Sequence, residues 1–123
     1  MAPVKILVAD DNQQIRLLVS AALRSLGHEL LLAVDGEEAL KVATEELPDL
    51  VLLDVQMPQL DGFEVLTFLR KRPETAQIKV VMLTTAAQTA DKKRGAELGA
   101  IDYVVKPFEP KVLRAVVERA LEF

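Results

Sequence analysis

The sequence predicts an α/β fold in which five βα units form one parallel sheet flanked by helices. Two patterns along the 123 residues carry this prediction: five short apolar runs recur, and each is followed by a stretch whose apolar residues lie three and four apart. The third run, residues 50–53, is continuously apolar, which is typical of a central strand covered by helices on both faces. We therefore expect a doubly wound, five-stranded parallel sheet.

Each βα unit can be placed in order from its apolar run and the residue that ends its helix. The predicted strands are residues 4–9, 30–34, 50–55, 79–84 and 103–105. The first helix keeps its apolar residues on one face as far as Leu26, and Gly27 can end it. The second helix ends before Pro48, because proline disfavours the helical conformation in the residue before it. The last three helices are predicted at residues 63–69, at 90–98 with Gly99 as the cap, and at 112–120.

Composition excludes several classes of protein. The chain has no cysteine, so neither a disulfide framework nor a cysteine zinc site is available. No apolar run approaches the roughly 18 residues that span a bilayer, and no secretory apolar core follows the N-terminus. The formal net charge of −4 disfavours nonspecific binding to nucleic acid. We therefore expect a single domain of residues 1–123 without an output domain, cytoplasmic, with no membrane insertion and no direct nucleic-acid contact.

Two short basic groups stand out in the second half of the chain. They are residues 70–72 and residues 92–94, and neither is interleaved with aromatic residues. We interpret them as solvated helix faces rather than as a docking surface for an acidic partner.

Polar residues follow the predicted strands where the strands end. Asp10 and Asp11 follow the first strand, Asp54 stands near the end of the third, Thr84 ends the fourth and Lys106 follows the fifth. Ligands of open α/β sheets bind beyond the carboxyl ends of the strands, so these side chains are the candidate site. Two carboxylates about 4 Å apart repel by roughly 4 kcal/mol at an effective dielectric constant of 20. Such a cluster needs a cation, and oxygen ligands favour Mg²⁺.

This set of side chains is suited to phosphoryl transfer. Lys106 supplies a positive charge and Thr84 a hydroxyl donor, which together could hold phosphoryl oxygens. Asp54 would then be the nucleophile, since metal coordination offsets the charge of an incoming phosphoryl group. A structural alternative stays open for the first strand end, where Asp10, Asp11 or Asn12 could simply cap the following helix.

At these residues the sequence resembles the receiver domain of two-component response regulators, and the chemotaxis-type single-domain regulators in particular. The resemblance covers the whole chain. It is carried by the segments at residues 8–12, 52–58, 61–62, 82–84 and 99–108. It implies a flavodoxin-like fold with strand order 2-1-3-4-5.

The resemblance also implies a role for each site residue. Asp11 and Asp54 would bind Mg²⁺ directly with the backbone carbonyl of Gln56, and Asp10 would act mostly through water. Asp54 would accept the phosphoryl group. Thr84 and Lys106 would bind its oxygens, and Lys106-Pro107 would be a cis peptide bond. Tyr103 would be the switch aromatic, which turns into the space that Thr84 leaves.

The function implied is that of a phosphorelay response regulator. A histidine kinase or phosphotransfer protein would donate the phosphoryl group, and a downstream target protein would bind the switched surface. The domain would be no enzyme in the ordinary sense, because it would catalyse only its own phosphorylation and dephosphorylation. It would be a monomer or a weak homodimer.

Other interpretations remain. One is a pseudo-receiver that acts as a protein-interaction module without phosphorylation, and another is a receiver excised from a larger regulator or hybrid kinase. A flavin protein or an aspartate-dependent phosphatase fits less well, because Asp10 and Asp11 stand where a flavin phosphate loop would be and Gln56 breaks the phosphatase DxD pattern. The sequence departs from the family at Thr85, where a small residue is usual, and Gln56 and Ala86 stand at the family's variable positions.

Overall fold

The fold is a five-stranded parallel sheet with helices on both faces, as the sequence predicts. A computed structural model describes residues 4–85 and 89–122. The strands are β1 Lys5–Ala9, β2 Glu29–Ala33, β3 Leu50–Asp54, β4 Lys79–Thr85 and β5 Asp102–Lys106. The helices are α1 Gln13–Arg24, α2 Gly36–Glu46, α3 Gly62–Lys71, α4 Thr89–Glu97 and α5 Pro110–Leu121. The strand order is β2-β1-β3-β4-β5, which confirms the order implied by the resemblance.

The two faces of the sheet carry separate apolar cores. Leu50 and Leu52 of β3 pack with α1 and α5 on one face, whereas Val51 and Leu53 pack with α2 and α3 on the other. All five residues of β3 are buried. This explains the continuous apolar run, because successive side chains of a strand point to opposite faces and here both faces are covered.

The helix ends follow the stop signals in the sequence. Leu47, the C-cap of α2, has a left-handed conformation with φ of 48°. Pro48 follows it and disfavours the right-handed helical conformation there, so the helix stops where the sequence predicts. Gly27 and Gly99 have φ of 75° and 99°, a region that glycine enters without steric cost.

Gly62 lets the N-terminus of α3 lie directly against the end of β3. The amide of Gly62 donates to the carbonyl of Val55 over 2.8 Å. A Cβ atom at position 62 would collide with the backbone carbonyl oxygen of Asp54. Asp61 caps α3 by accepting from the amide of Glu64, and the Glu64 side chain accepts from the amide of Asp61.

The interpretation of residues 70–72 as a solvated face is wrong for Arg70. Its guanidinium donates to the carbonyls of Ala76 over 3.1 Å, Ile78 over 2.7 Å and Gly99 over 2.9 Å. These bonds join α3 to the segments before β4 and after α4. Because of these three hydrogen bonds, Arg70 has a structural role that the sequence does not show. Burial also lowers the pKa of the guanidinium.

No helix in the ranges 4–85 and 89–122 has the length and hydropathy needed to cross a bilayer.

Candidate functional site

The acidic residues after β1 and β3 meet at one edge of the sheet. Asp10, Asp11 and Asp54 each offer one carboxylate oxygen, and these three oxygens lie within 4.8 Å of one another. Asp10 is fully buried and Asp54 is 4% exposed, whereas Asp11 is open to solvent. They line an open cavity of about 590 Å³. Its walls also include Asn12, Ile15, Gln56, Met57, Pro58, Asp61, Thr85 and Lys106.

Lys106 bridges the two buried carboxylates from the end of β5. Its Nζ lies 2.7 Å from Oδ2 of Asp10 and 3.0 Å from Oδ1 of Asp54. The Lys106-Pro107 peptide bond is cis, as the resemblance implies. The convergence of these residues from three strands agrees with the expectation that the carboxyl ends of the strands share one edge.

Asn12 of the loop after β1 and Arg16 of α1 hold Asp10, and Asp11 is left available. The side-chain oxygen of Asn12 accepts from the amides of Gln14 and Ile15, over 2.8 and 3.2 Å, so Asn12 is the N-cap of α1. The amide of Asn12 in turn donates to Oδ1 of Asp10 over 2.9 Å. Arg16 donates to the backbone carbonyl of Asp10 over 2.6 Å. Since Asn12 supplies the cap, Asp10 and Asp11 are not needed for that purpose.

The two oxygens of the Asp54 carboxylate have different surroundings. Oδ1 accepts from Lys106 and, over 3.3 Å, from the amide of Gln56. Neither group donates to Oδ2. Asp54 therefore has one oxygen held in place and one oxygen that can coordinate a cation or form a new bond.

Thr84 and Tyr103 line a second, smaller cavity next to the acidic one. This cavity of about 160 Å³ lies between β4, α4 and β5. Thr84 is buried and its hydroxyl donates to the carbonyl of Thr85 over 3.3 Å, and no hydrogen bond joins it to Asp54 or Lys106. Tyr103 is exposed in part to solvent. Along β4 it is Thr85 that lines the acidic cavity.

The acidic cluster is short of positive charge. Burial and the neighbouring Asp10 carboxylate raise the pKa of Asp54 from 3.8 to about 6, against the opposing effect of Lys106. Burial also opposes the charge of Lys106, but its hydrogen bonds and ion pairs with Asp10 and Asp54 outweigh burial and raise the pKa of its ammonium group. Hard oxygen donors at this spacing, with one open to solvent, fit a hydrated Mg²⁺ ion.

The raised pKa of Asp54 predicts how stability depends on pH in the presence of EDTA. The folded chain binds this proton more tightly than the unfolded chain, so the proton stabilises the fold below about pH 4. That stabilisation is lost as the pH rises through about 6. We expect a loss of about 1 to 2 kcal/mol, which allows for screening by solvent. Urea unfolding of the native chain and of Asp54→Asn at several pH values isolates the effect. Parallel pH profiles for the two proteins would contradict it.

Sequence reasoning missed two contacts around the site. Arg16, which holds the Asp10 carbonyl, lies among ordinary helix-surface residues in the sequence. Lys92, placed in a solvated basic group, stands over the ring of Tyr103 with Nζ 4.3 Å from its centre. No sequence signal marks either contact, because each depends on which way a helix faces. Ala86, the second variable position, lies outside the described residues.

This chain is similar to response regulators and their receiver domains. The family model described as "Response regulator receiver domain" matches residues 6–118. The probable transcriptional regulator ycf27 of Cyanophora paradoxa is 49% identical over 95% of this chain and 48% of its own length. The alkaline phosphatase synthesis transcriptional regulatory protein PhoP of Bacillus subtilis is 45% identical over 95% of this chain and 48% of its own length. The chain thus spans about half the length of the curated relatives it matches.

Solved structures show the same architecture. A putative response regulator from Chloroflexus aurantiacus has a TM-score of 0.93 at 36% identity, with 98% of each chain covered. The chemotaxis protein CheY4 of Vibrio cholerae has a TM-score of 0.92 at 37% identity, with 98% of this chain and 100% of that chain covered.

Proposed function

The chain belongs to the response regulator receiver domain family, and on that premise we propose that Asp54 accepts a phosphoryl group from a histidine kinase or a phosphotransfer protein. The observation that carries the proposal is the bridge of Lys106 between Asp10 and Asp54, beside an open cavity. The bridge supports the proposal because it holds two carboxylates and an ammonium group side by side, and phosphoryl transfer to Asp54 would need such a set.

Mg²⁺ is the cofactor in this proposal. Asp11, Asp54 and the backbone carbonyl of Gln56 would hold it directly, and Asp10 would act mostly through water. When bound, it would neutralise the carboxylates and the incoming phosphoryl oxygens. The spacing of the three carboxylates and the elevated pKa of Asp54 support this assignment.

The residues of the chain would perform the transfer as follows. Lys106 and the amide of Gln56 hold Oδ1 of Asp54, so that Oδ2 can attack phosphorus. A bond forms between that oxygen and phosphorus, and the bond from phosphorus to the donor's nitrogen or oxygen breaks, with its electron pair staying on the donor. Lys106 then donates to a phosphoryl oxygen and offsets its charge.

The second cavity supports a switch that responds to the phosphoryl group. The Thr84 hydroxyl would turn from the carbonyl of Thr85 toward a phosphoryl oxygen, and the ring of Tyr103 would then enter the cavity. A volume of about 160 Å³ is sufficient, since an apolar protein cavity of about 150 Å³ holds benzene. The surface between α4 and α5 would change accordingly, and a target protein would bind the changed surface.

The names of the relatives support one class of target. Two of the relatives described above are transcriptional regulators by name. We therefore propose that the switched surface acts on a DNA-binding partner, either a separate protein or a further part of a longer chain. The expectation that the receiver itself makes no nucleic-acid contact is retained within this proposal. The proposal also retains three other expectations: a cytoplasmic location, a monomer or weak homodimer, and no enzymatic turnover of a separate substrate.

The proposal is tested by intact-mass spectrometry of the native chain incubated with acetyl phosphate. We expect a gain of one phosphoryl group with Mg²⁺ and none with EDTA, because without the cation the acidic cluster repels the donor. The same protein is then incubated with a phosphorylated histidine phosphotransfer protein. No gain from either donor in the presence of Mg²⁺ would overturn the proposal in favour of the pseudo-receiver.

A further inference from the structure

The cavity beside Thr84 is bounded by an unusual pair of side chains. Lys92 of α4 and Tyr103 of β5 both line it, and the Lys92 ammonium lies over the aromatic ring at 4.3 Å from the ring centre. Tyr103 is 38% exposed and Lys92 is half-buried. A lysine in this position attracts the negative face of the ring, and the attraction strengthens as water is removed.

The cavity is present because the residues behind this pair are small. Gly95 and Ala96, one helical turn after Lys92, and Ala100 line the same space. A Cβ atom at position 95 would lie 3.3 Å from Cγ of Met82, so α4 packs close to the sheet there. The ring of Tyr103 thus has two places available: the position under Lys92 that the structure shows, and the cavity behind it.

The cation favours one of these two positions. In the position shown, the ring face is covered by the Lys92 ammonium. Val55, Met82 and the small residues of α4 line the cavity. We expect a ring turned in among them to move off the face-on position below the Lys92 ammonium, and so to weaken that contact. Removal of the contact should therefore raise the population of the inward ring, and the energy of such contacts corresponds to a change of about two- to fivefold in the ratio.

We propose that Lys92 is a positioning residue that holds Tyr103 outward in the unphosphorylated protein and so restrains the switch. This inference rests on the proposed function, because it assigns a restraint to the same Tyr103 movement. The phosphoryl group would have to draw the ring away from Lys92 as well as reposition Thr84. Lys92 would then set how much of the population is switched at a given level of phosphorylation.

The chain offers a direct probe of this ring, because it contains one tyrosine and no tryptophan. Incorporation of 3-fluorotyrosine gives a single fluorine NMR signal from Tyr103. The signal is recorded for the native chain, Lys92→Gln, Lys92→Arg and Lys93→Gln, all without Mg²⁺ or phosphoryl donor. Lys93 is exposed, so its variant matches the charge change without touching the ring. The native chain with acetyl phosphate and Mg²⁺ gives the inward reference.

We expect the inward-to-outward ratio to rise about two- to fivefold in Lys92→Gln and to stay at the native value in Lys92→Arg and Lys93→Gln. We also expect Lys92→Gln to reach a given switched fraction at a lower acetyl phosphate concentration. A native ratio in Lys92→Gln, or an equal rise in Lys93→Gln, would overturn the role of Lys92 while the proposed function stands. A native chain that is phosphorylated but gains no inward component would overturn both the Tyr103 switch and its restraint by Lys92, while Asp54 would stand as the phosphoryl acceptor.

Discussion

Asp54→Asn is expected to gain no phosphoryl group from acetyl phosphate and Mg²⁺ under conditions in which the native chain is fully modified. The carboxylate oxygen that would form the new bond is replaced by an amide, which is a poor nucleophile and a weaker cation ligand. The readout is intact mass followed by mapping of the modified peptide. We expect no detectable phosphorylation of this variant, and this is the largest effect that we predict.

Asp61→Asn is the matched control for this substitution. Asp61 lines the same cavity and caps α3, and asparagine caps a helix as well as aspartate does. We expect this variant to be phosphorylated like the native chain. A phosphoryl group on Asp54→Asn, mapped to Asp10 or Asp11, would show that the acceptor has been assigned to the wrong carboxylate.

Lys106→Met is expected to lower the free energy of unfolding in EDTA by about 3 kcal/mol. The substitution leaves Asp10 fully buried without its positively charged partner, beside Asp54. The loss lies at the lower end of the range for a broken buried ion pair, because Asp54 can neutralise itself by taking up a proton as its pKa rises further. Saturating Mg²⁺ should restore part of the lost stability, since it supplies the missing positive charge.

Urea unfolding at pH 7.5 measures this loss, and Lys5→Met provides the comparison. Lys5 pairs with Glu46 at 3.1 Å, but the side chains are 39% and 44% exposed, so its removal should cost less than about 1 kcal/mol. If the two variants lost equal stability, the ion pairs of Lys106 would be no more important than a surface pair.

Most of the fold could be predicted from the sequence because apolar runs and helix stop signals are local. β3 needed no neighbour to be recognised, and Pro48 marked the end of α2. The prediction for β5 was too short at both ends, because Asp102 and Lys106 are charged and only pairing with β4 makes them part of the strand. Prediction of the strand order required the family resemblance, because no local sequence pattern indicates which strands pair.

The candidate site was predictable to the extent that it follows from strand ends. Asp10, Asp54 and Lys106 were identified because parallel strands finish at a common edge. It was not predictable that Thr84 lines the smaller cavity while Thr85 lines the acidic one, because neighbouring residues of a strand face opposite sides of the sheet and the sequence does not identify the side that each faces. The carbonyl partners of Arg70 lie 6, 8 and 29 residues away, and such distances leave no periodic signal.

The close approach of Gly62 to Asp54 limits what substitution can do at the proposed phosphorylation site. Any side chain at position 62 would push the start of α3 away from β3, and the loop between them carries Gln56, Met57 and Pro58 on the cavity wall. In a library randomised at this position, glycine alone should keep both the fold and the cavity shape. We therefore expect substitutions that change the lifetime of the proposed phosphoryl group to lie on the cavity walls, because position 62 has no freedom to contribute.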